Sequence, residues 1–238
     1  MEFFRTTRLY GALLALMLTC FCLPPAAARA EDADPDAGQA ALEYRLVLPE
    51  GNPGRLEYVS DGNAASCVRV GFGEVLTLLL PEDAAHIYLT FHSIPTEAEL
   101  RFFDGDGALT GSATIGGPLF HQCYAVPRGS KSAELGSAKS SVAVSEIQIY
   151  QDLPRGLLLP EPPAQKADVL LVVAHTGDES YYFGGLLPIL AGEKGYTVAV
   201  AFLSSAGRAA EEEAMHALHA AGVQEQPYFA GLAYRLRA

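Results

Sequence analysis

Residues 168–180 read Asp-Val-Leu-Leu-Val-Val-Ala-His-Thr-Gly-Asp-Glu-Ser. The run from Val169 to Ala174 is apolar without a break, which is the pattern of a parallel strand buried on both faces. Thr197-Val-Ala-Val-Ala-Phe-Leu203 repeats it. Between the two lies a helical stretch over 184–193, with Pro188 kinking it or sitting in its first turn. A second helix over 209–221 ends at Gly222, and Gln226-Pro-Tyr-Phe-Ala230 opens a third strand. Strand, helix, strand, helix, strand specifies a right-handed α/β unit, and ligands of such sheets sit beyond the carboxyl ends of the strands. His175 and Asp178 stand at that end of the first strand. An imidazole and a carboxylate three residues apart suit a divalent metal such as zinc. They suit equally the hydrogen bonds of a βα turn, with Asp178 or Ser180 capping the helix. Spacing alone leaves both open.

Upstream the pattern changes. Leu42–Leu48, Val75–Leu80, His86–Phe91, Glu99–Phe103 and Val144–Tyr150 read as short strands, each bounded by Gly, Pro, Asn or Asp. Gly51-Asn-Pro-Gly54, Asp61-Gly-Asn63 and Asp104-Gly-Asp-Gly107 are turn signals. The last is read as a hairpin turn, not a calcium loop, because the twelfth position of a loop begun at Asp104 is Ile115. Strands at this spacing imply an antiparallel sandwich or jelly roll over residues 42–153. Residues 154–165, with four prolines at 154, 160, 162 and 163, form a semi-rigid connector. The chain is therefore expected to be multidomain: an all-β sandwich, the connector, and a partial α/β Rossmann-like parallel-sheet domain over 166–238.

Residues 1–30 carry Arg5 and Arg8, an apolar run from Leu9 to Leu23, and a small-residue exit ending Ala28-Arg29-Ala30. That is the plan of a secretory signal cleaved near Ala30, too short in its apolar part for a comfortable membrane span. Residues 31–41 form an acidic leader expected to be disordered. The protein is thus expected outside the cytoplasm, secreted, at the cell surface or periplasmic, with no further membrane attachment. Cleavage removes Cys20 and Cys22 and leaves Cys67 and Cys123, a disulfide candidate in an oxidising compartment; two separate thiols are the alternative. The formal charge of −12, from 16 basic and 28 acidic residues with no Lys/Arg-rich run, argues against a nucleic-acid partner.

The upstream half resembles discoidin-type, galactose-binding-like modules through Val59-Ser-Asp-Gly-Asn63, His86–Phe91 and Ser145-Glu-Ile-Gln-Ile-Tyr150. The resemblance implies a jelly-roll scaffold that binds glycans or surfaces through loops at one end. The downstream half resembles the PIG-L/LmbE family of zinc-dependent de-N-acetylases. It does so through Val172-Val-Ala-His-Thr-Gly-Asp-Glu-Ser180, Phe183-Gly-Gly185 with its second glycine six residues beyond Glu179, and Tyr196–Leu203. Arg208 and Glu211-Glu-Glu213, before Ala-Ala-Gly-Val223, resemble the family's second helix. The resemblance implies His175 and Asp178 as two of three zinc ligands, a zinc-bound water as nucleophile toward an acetamide, and Arg208 as a substrate contact.

Two departures stand out. The family's proton-accepting Asp is replaced by Gly177, and its third ligand, a downstream His, has no counterpart before Ala238. Glu179 matches a residue that supports the turn, so no catalytic base is assigned. His216 and His219, three apart on the second helix, read as a solvent-facing pair. The stretch from Lys166 covers about half of such a domain, so an incomplete copy of a longer enzyme is a third possibility. The expected function is an exported, metal-dependent deacetylase of an N-acetylated sugar or glycan, inactive or truncated in this chain. The alternative is a non-catalytic carbohydrate- or surface-binding protein carrying a degenerate deacetylase domain.

Overall fold

Strand alternation in the upstream half builds two antiparallel sheets. The computed structural model describes residues 40–48, 55–137 and 139–232; the stretch read as a secretory signal, most of the acidic leader and the expected turn at 51–54 lie outside them. The strands are β1 (Arg45–Val47), β2 (Val68–Val70), β3 (Val75–Leu79), β4 (His86–Phe91), β5 (Ala98–Phe103), β6 (Leu109–Ile115), β7 (His121–Ala125), β8 (Ser132–Ser137) and β9 (Val142–Tyr150). One sheet runs β1-β3-β8-β5-β6 and the other β2-β9-β4-β7. β5 shows the cause: Ala98, Leu100 and Phe102 turn inward and are buried, while Glu99, Arg101 and Phe103 face out. Leu76, Leu78, Ile87, Leu89, Phe91, Leu135, Ile147 and Ile149 complete the core between the sheets. The result is a β-sandwich.

Asp104-Gly-Asp-Gly107 closes the β5–β6 hairpin. Asp104 Oδ1 accepts the backbone N–H groups of Asp106 (2.9 Å) and Ala108 (2.8 Å). Two segments of the galactose-binding-like resemblance also meet in space. Ser145 Oγ donates to the Ala64 carbonyl (2.8 Å), and the Asn63 N–H to Glu146 Oε1 (3.0 Å).

Cys67 and Cys123 are free thiols, not a disulfide. Cys67 precedes β2 and Cys123 lies on β7, and these strands occupy opposite edges of the four-stranded sheet. Three strand spacings, about 14 Å, exceed the roughly 7 Å Cα limit of a disulfide.

Downstream, β10 (Val169–His175), β11 (Val198–Ser204) and β12 (Tyr228–Phe229) form a three-stranded parallel sheet in that order. The first helix, α1 (Asp178–Phe183), starts directly at the βα turn and not at Gly184 as the sequence suggested. It ends at Phe183, before Pro188 is reached, and Pro188 opens the next element, where its missing N–H costs nothing. Pro188–Glu193 winds as a wider turn in which the Lys194 N–H donates to the Ile189 carbonyl. Helix α2 (Arg208–Ala220) buries Ala214 and Leu218 against Val200 and Phe202 of the sheet. The expectation that β10 is buried on both faces does not hold. Helices cover the face of Val169, Leu171 and Val173, whereas Leu170 is 66% and Val172 53% exposed on the other.

The connector is packed. Leu158 is buried with Phe120 and Met215, and Glu161 exchanges backbone hydrogen bonds with Gln224 and Gln226, both 2.8 Å. No helix among the described residues is long and apolar enough to cross a membrane.

Candidate functional site

A tight turn, Gly71-Phe72-Gly73-Glu74, joins β2 to β3 at one end of the sandwich. The Glu74 N–H donates to the Gly71 carbonyl (3.1 Å), and the Gly71 N–H returns a bond to Glu74 Oε2 (2.7 Å). Gly73 takes a left-handed φ of +73°, which glycine adopts at little cost. The turn so closed leaves Phe72 73% exposed, the largest exposure of any aromatic side chain on the sandwich. Beside it a groove of about 560 Å³ is lined by Glu74, Glu97, Glu99, Arg101, Thr114 and Lys139. Arg101 pairs with Glu134 at 2.9 Å and Lys139 with Glu97. Phe72 does not line this groove, but its neighbour Gly73 does, and an exposed aromatic one residue from a groove of such carboxylates and a guanidinium suits a ligand with one apolar face and many hydroxyls. The sequence reading passed over Phe72. Its signal was a large aromatic between two glycines, where no core position exists.

On the other side of β2 from that turn, Asp61 and Glu146 share the Asn63 N–H, at 2.9 and 3.0 Å. Ser66 Oγ donates to both Asp61 oxygens, at 2.9 and 2.7 Å, and holds Asp61 below its ordinary range. Burial, then the hydrogen bond and charge of Asp61, push Glu146 up to about 7. These are oxygen donors only, the kind hard cations take. The two carboxylates fall short of a full shell, and no group of three His, Cys, Asp or Glu suited to a metal occurs among the described residues.

His175 and Asp178 are brought together at the carboxyl end of β10, with Nδ1 and Oδ2 3.5 Å apart. Asp178 Oδ2 also accepts the His175 backbone N–H (3.0 Å), so it fastens the turn as well. Glu179 is buried, accepting the Gly177 N–H (2.7 Å) and the Ser180 hydroxyl (3.0 Å). Gly177 sits at a left-handed φ of +99°, where a side chain at the expected base position would strain the backbone. Catalytic zinc takes three protein ligands; the described residues supply two, so they do not fit a complete zinc centre.

His216 and His219 do not join them. His216 Nε2 lies 3.3 Å from Glu212 Oε1, and that bond raises its pKa. Arg208, read as a substrate contact, is buried where α2 meets the sandwich. Its Nε donates to the Phe91 carbonyl (3.2 Å) and its Nη2 to Glu212 (2.7 Å), while the guanidinium lies 4.3 Å over the Phe120 ring. Glu212 also meets His121 at 3.1 Å. Burial alone would raise Glu212, but hydrogen bonds from His121 and His216 and the Arg208 charge hold it far below the usual carboxylate range. Tyr88 lies 2.7 Å from His121 Nδ1 and donates to the Leu158 carbonyl (2.7 Å). Gln226 completes the junction, accepting the Phe120 N–H (2.7 Å) and donating to the Pro118 carbonyl.

No family model and no curated protein matches the chain. Among solved structures it is similar to a fucose-binding module of Streptococcus pneumoniae, with 9% identity, 48% of this chain and 93% of that one covered, and a TM-score of 0.38. It is similar also to the lectin domain of lectinolysin complexed with Lewis B antigen, with 6% identity, 52% and 99% covered, and a TM-score of 0.37. A third is CpGH89CBM32-5 from Clostridium perfringens, in complex with GalNAc-β-1,3-galactose, with 12% identity, 45% and 94% covered, and a TM-score of 0.31.

Proposed function

We propose that this chain is an exported carbohydrate-binding protein whose sandwich loops hold the sugar. One observation carries the reading: Phe72 stands 73% exposed on a glycine-bounded turn, beside a charged groove. An aromatic with no place in the core and a turn that forces it outward is a platform for the apolar face of a pyranose, and Glu99 and Arg101 meet its hydroxyls. The test is a glycan array followed by titration calorimetry. Phe72→Ala is expected to weaken binding at least tenfold while Tm moves by less than about 2 °C, since exposed side chains contribute little to stability. Unchanged affinity in that variant would remove Phe72 from the site. Export is tested by mass spectrometry of the secreted product, expected to begin at Glu31.

A second reading, metal-dependent deacetylation of an N-acetylated sugar in the manner of PIG-L/LmbE enzymes, is favoured by the convergence of His175 and Asp178 at 3.5 Å. Those two side chains are two of the three protein ligands that a catalytic zinc takes, and zinc bound there would supply an activated water. Plasma mass spectrometry is the check: one zinc per chain, lost in His175→Ala, supports it. A chain that holds no zinc after loading ends it.

A further inference from the structure

A second groove, of about 660 Å³, runs between the outer face of the four-stranded sheet, the connector and α2. That size lies within the range of small-molecule sites, about 300–1,000 Å³. Tyr88, Gln148 and Tyr150 form one wall, Leu157 and Leu158 the floor, and Glu213 and His216 the far rim, with Glu146 at one end. We propose that this junction groove is a separate binding site for an uncharged saccharide of one or two rings.

Three observations carry it. First, the polar groups suit hydroxyls. Gln148 accepts the Tyr150 hydroxyl at 2.9 Å, which leaves its amide N–H groups to donate, and the Glu146 carboxyl and His216 imidazole border the same space. Second, the charge excludes anions. Glu212 and Glu213 line the groove, Arg155 has a partner of its own, and His216 is tied to Glu212. Third, the walls are held in place before any ligand arrives. Glu212 is fixed by Arg208, His121 and His216, and Tyr88 is fixed by the Leu158 carbonyl. A preformed wall spares the ordering cost of binding. Residues from 62–64, 146–158 and 212–216 all line it, so the site belongs to neither half alone.

Saturation-transfer NMR on the full exported chain tests it, with galactose, N-acetylglucosamine, lactose and N,N′-diacetylchitobiose as probes. In a Phe72→Ala background at least one probe is expected to bind still. Adding Gln148→Ala should weaken that residual binding at least tenfold, and adding His216→Ala, at an exposed position, several-fold. Residual binding that is absent, or that survives both groove changes undiminished, overturns the proposal. The loop site fails by a different result, namely Phe72→Ala binding every probe as the parent chain does.

Discussion

Glu146 is one of the side chains whose protonation the fold alters in the physiological range, beside His216, held up by Glu212, and His121 and His219, held down by burial. Its carboxyl, ordinarily at 4.5, is pushed up to about 7, first by burial and then by the neighbouring Asp61. Between those pH values the folded chain holds a proton that the unfolded chain has released. The stability that Glu146 contributes therefore falls as pH rises from about 4.5 to about 7, and levels above that. Asp61 is held below its ordinary 3.8 and titrates outside this window. Calorimetry at pH 5 and pH 7.5 is expected to show Glu146 lowering the Tm at pH 7.5, against the opposite contribution of His121 and His219, which are held below their ordinary range and destabilise the fold toward pH 5. Glu146→Gln should remove that lowering; an unchanged slope in that variant would place its source elsewhere.

At the scale of the element, α2 performs two packing tasks with adjoining faces. Ala214 and Leu218 cover the parallel sheet, while Met215 meets Phe120 and Leu158. Arg208 anchors its first turn to the sandwich through the Phe91 carbonyl, Glu212 and the Phe120 ring. Removing one member of a buried ion pair leaves the other charge uncompensated, a loss of about 3–5 kcal/mol. Arg208→Ala is therefore expected to cost about 3 kcal/mol in urea denaturation. Arg208→Lys should not restore it, because an ammonium cannot both span two acceptors in one plane and stack on the ring. A loss below about 1 kcal/mol would mean that the helix is seated by its apolar contacts alone.

For the whole molecule, the connector decides whether the two halves move apart or act together. Four prolines suggest a spacer, but Glu161 pairs with Gln224 and Gln226 as a strand residue does, and Leu158 is buried. The Glu161 and Gln226 amides are expected to exchange with deuterium slowly, with protection factors near those of β9. Exchange at unprotected-peptide rates would show the halves to be independently mobile.

The alternation at Ala98–Phe103 and the apolar runs at 169–174 and 197–203 determined by themselves that the chain begins as a sandwich and continues with parallel strands, because side-chain period and polarity are local properties. The Asp-Gly hairpin was equally legible, since Asp104 satisfies its own turn. β6 (Leu-Thr-Gly-Ser-Ala-Thr-Ile) and β8 (Ser-Ala-Glu-Leu-Gly-Ser) were not, being rich in small and polar residues and strands only because neighbours pair with them. Of the candidate site, the sequence placed His175 and Asp178 on one turn. It could not place Arg208, Glu212 and His121, or Asp61 and Glu146, because those partners lie 83 or more residues apart in part of each set. Tertiary packing alone decided that Arg208 is buried against the sandwich, that the two cysteines stand at opposite sheet edges, and that one face of β10 is open to solvent. Each depends on which surfaces meet, and that information is carried by no single stretch of the chain.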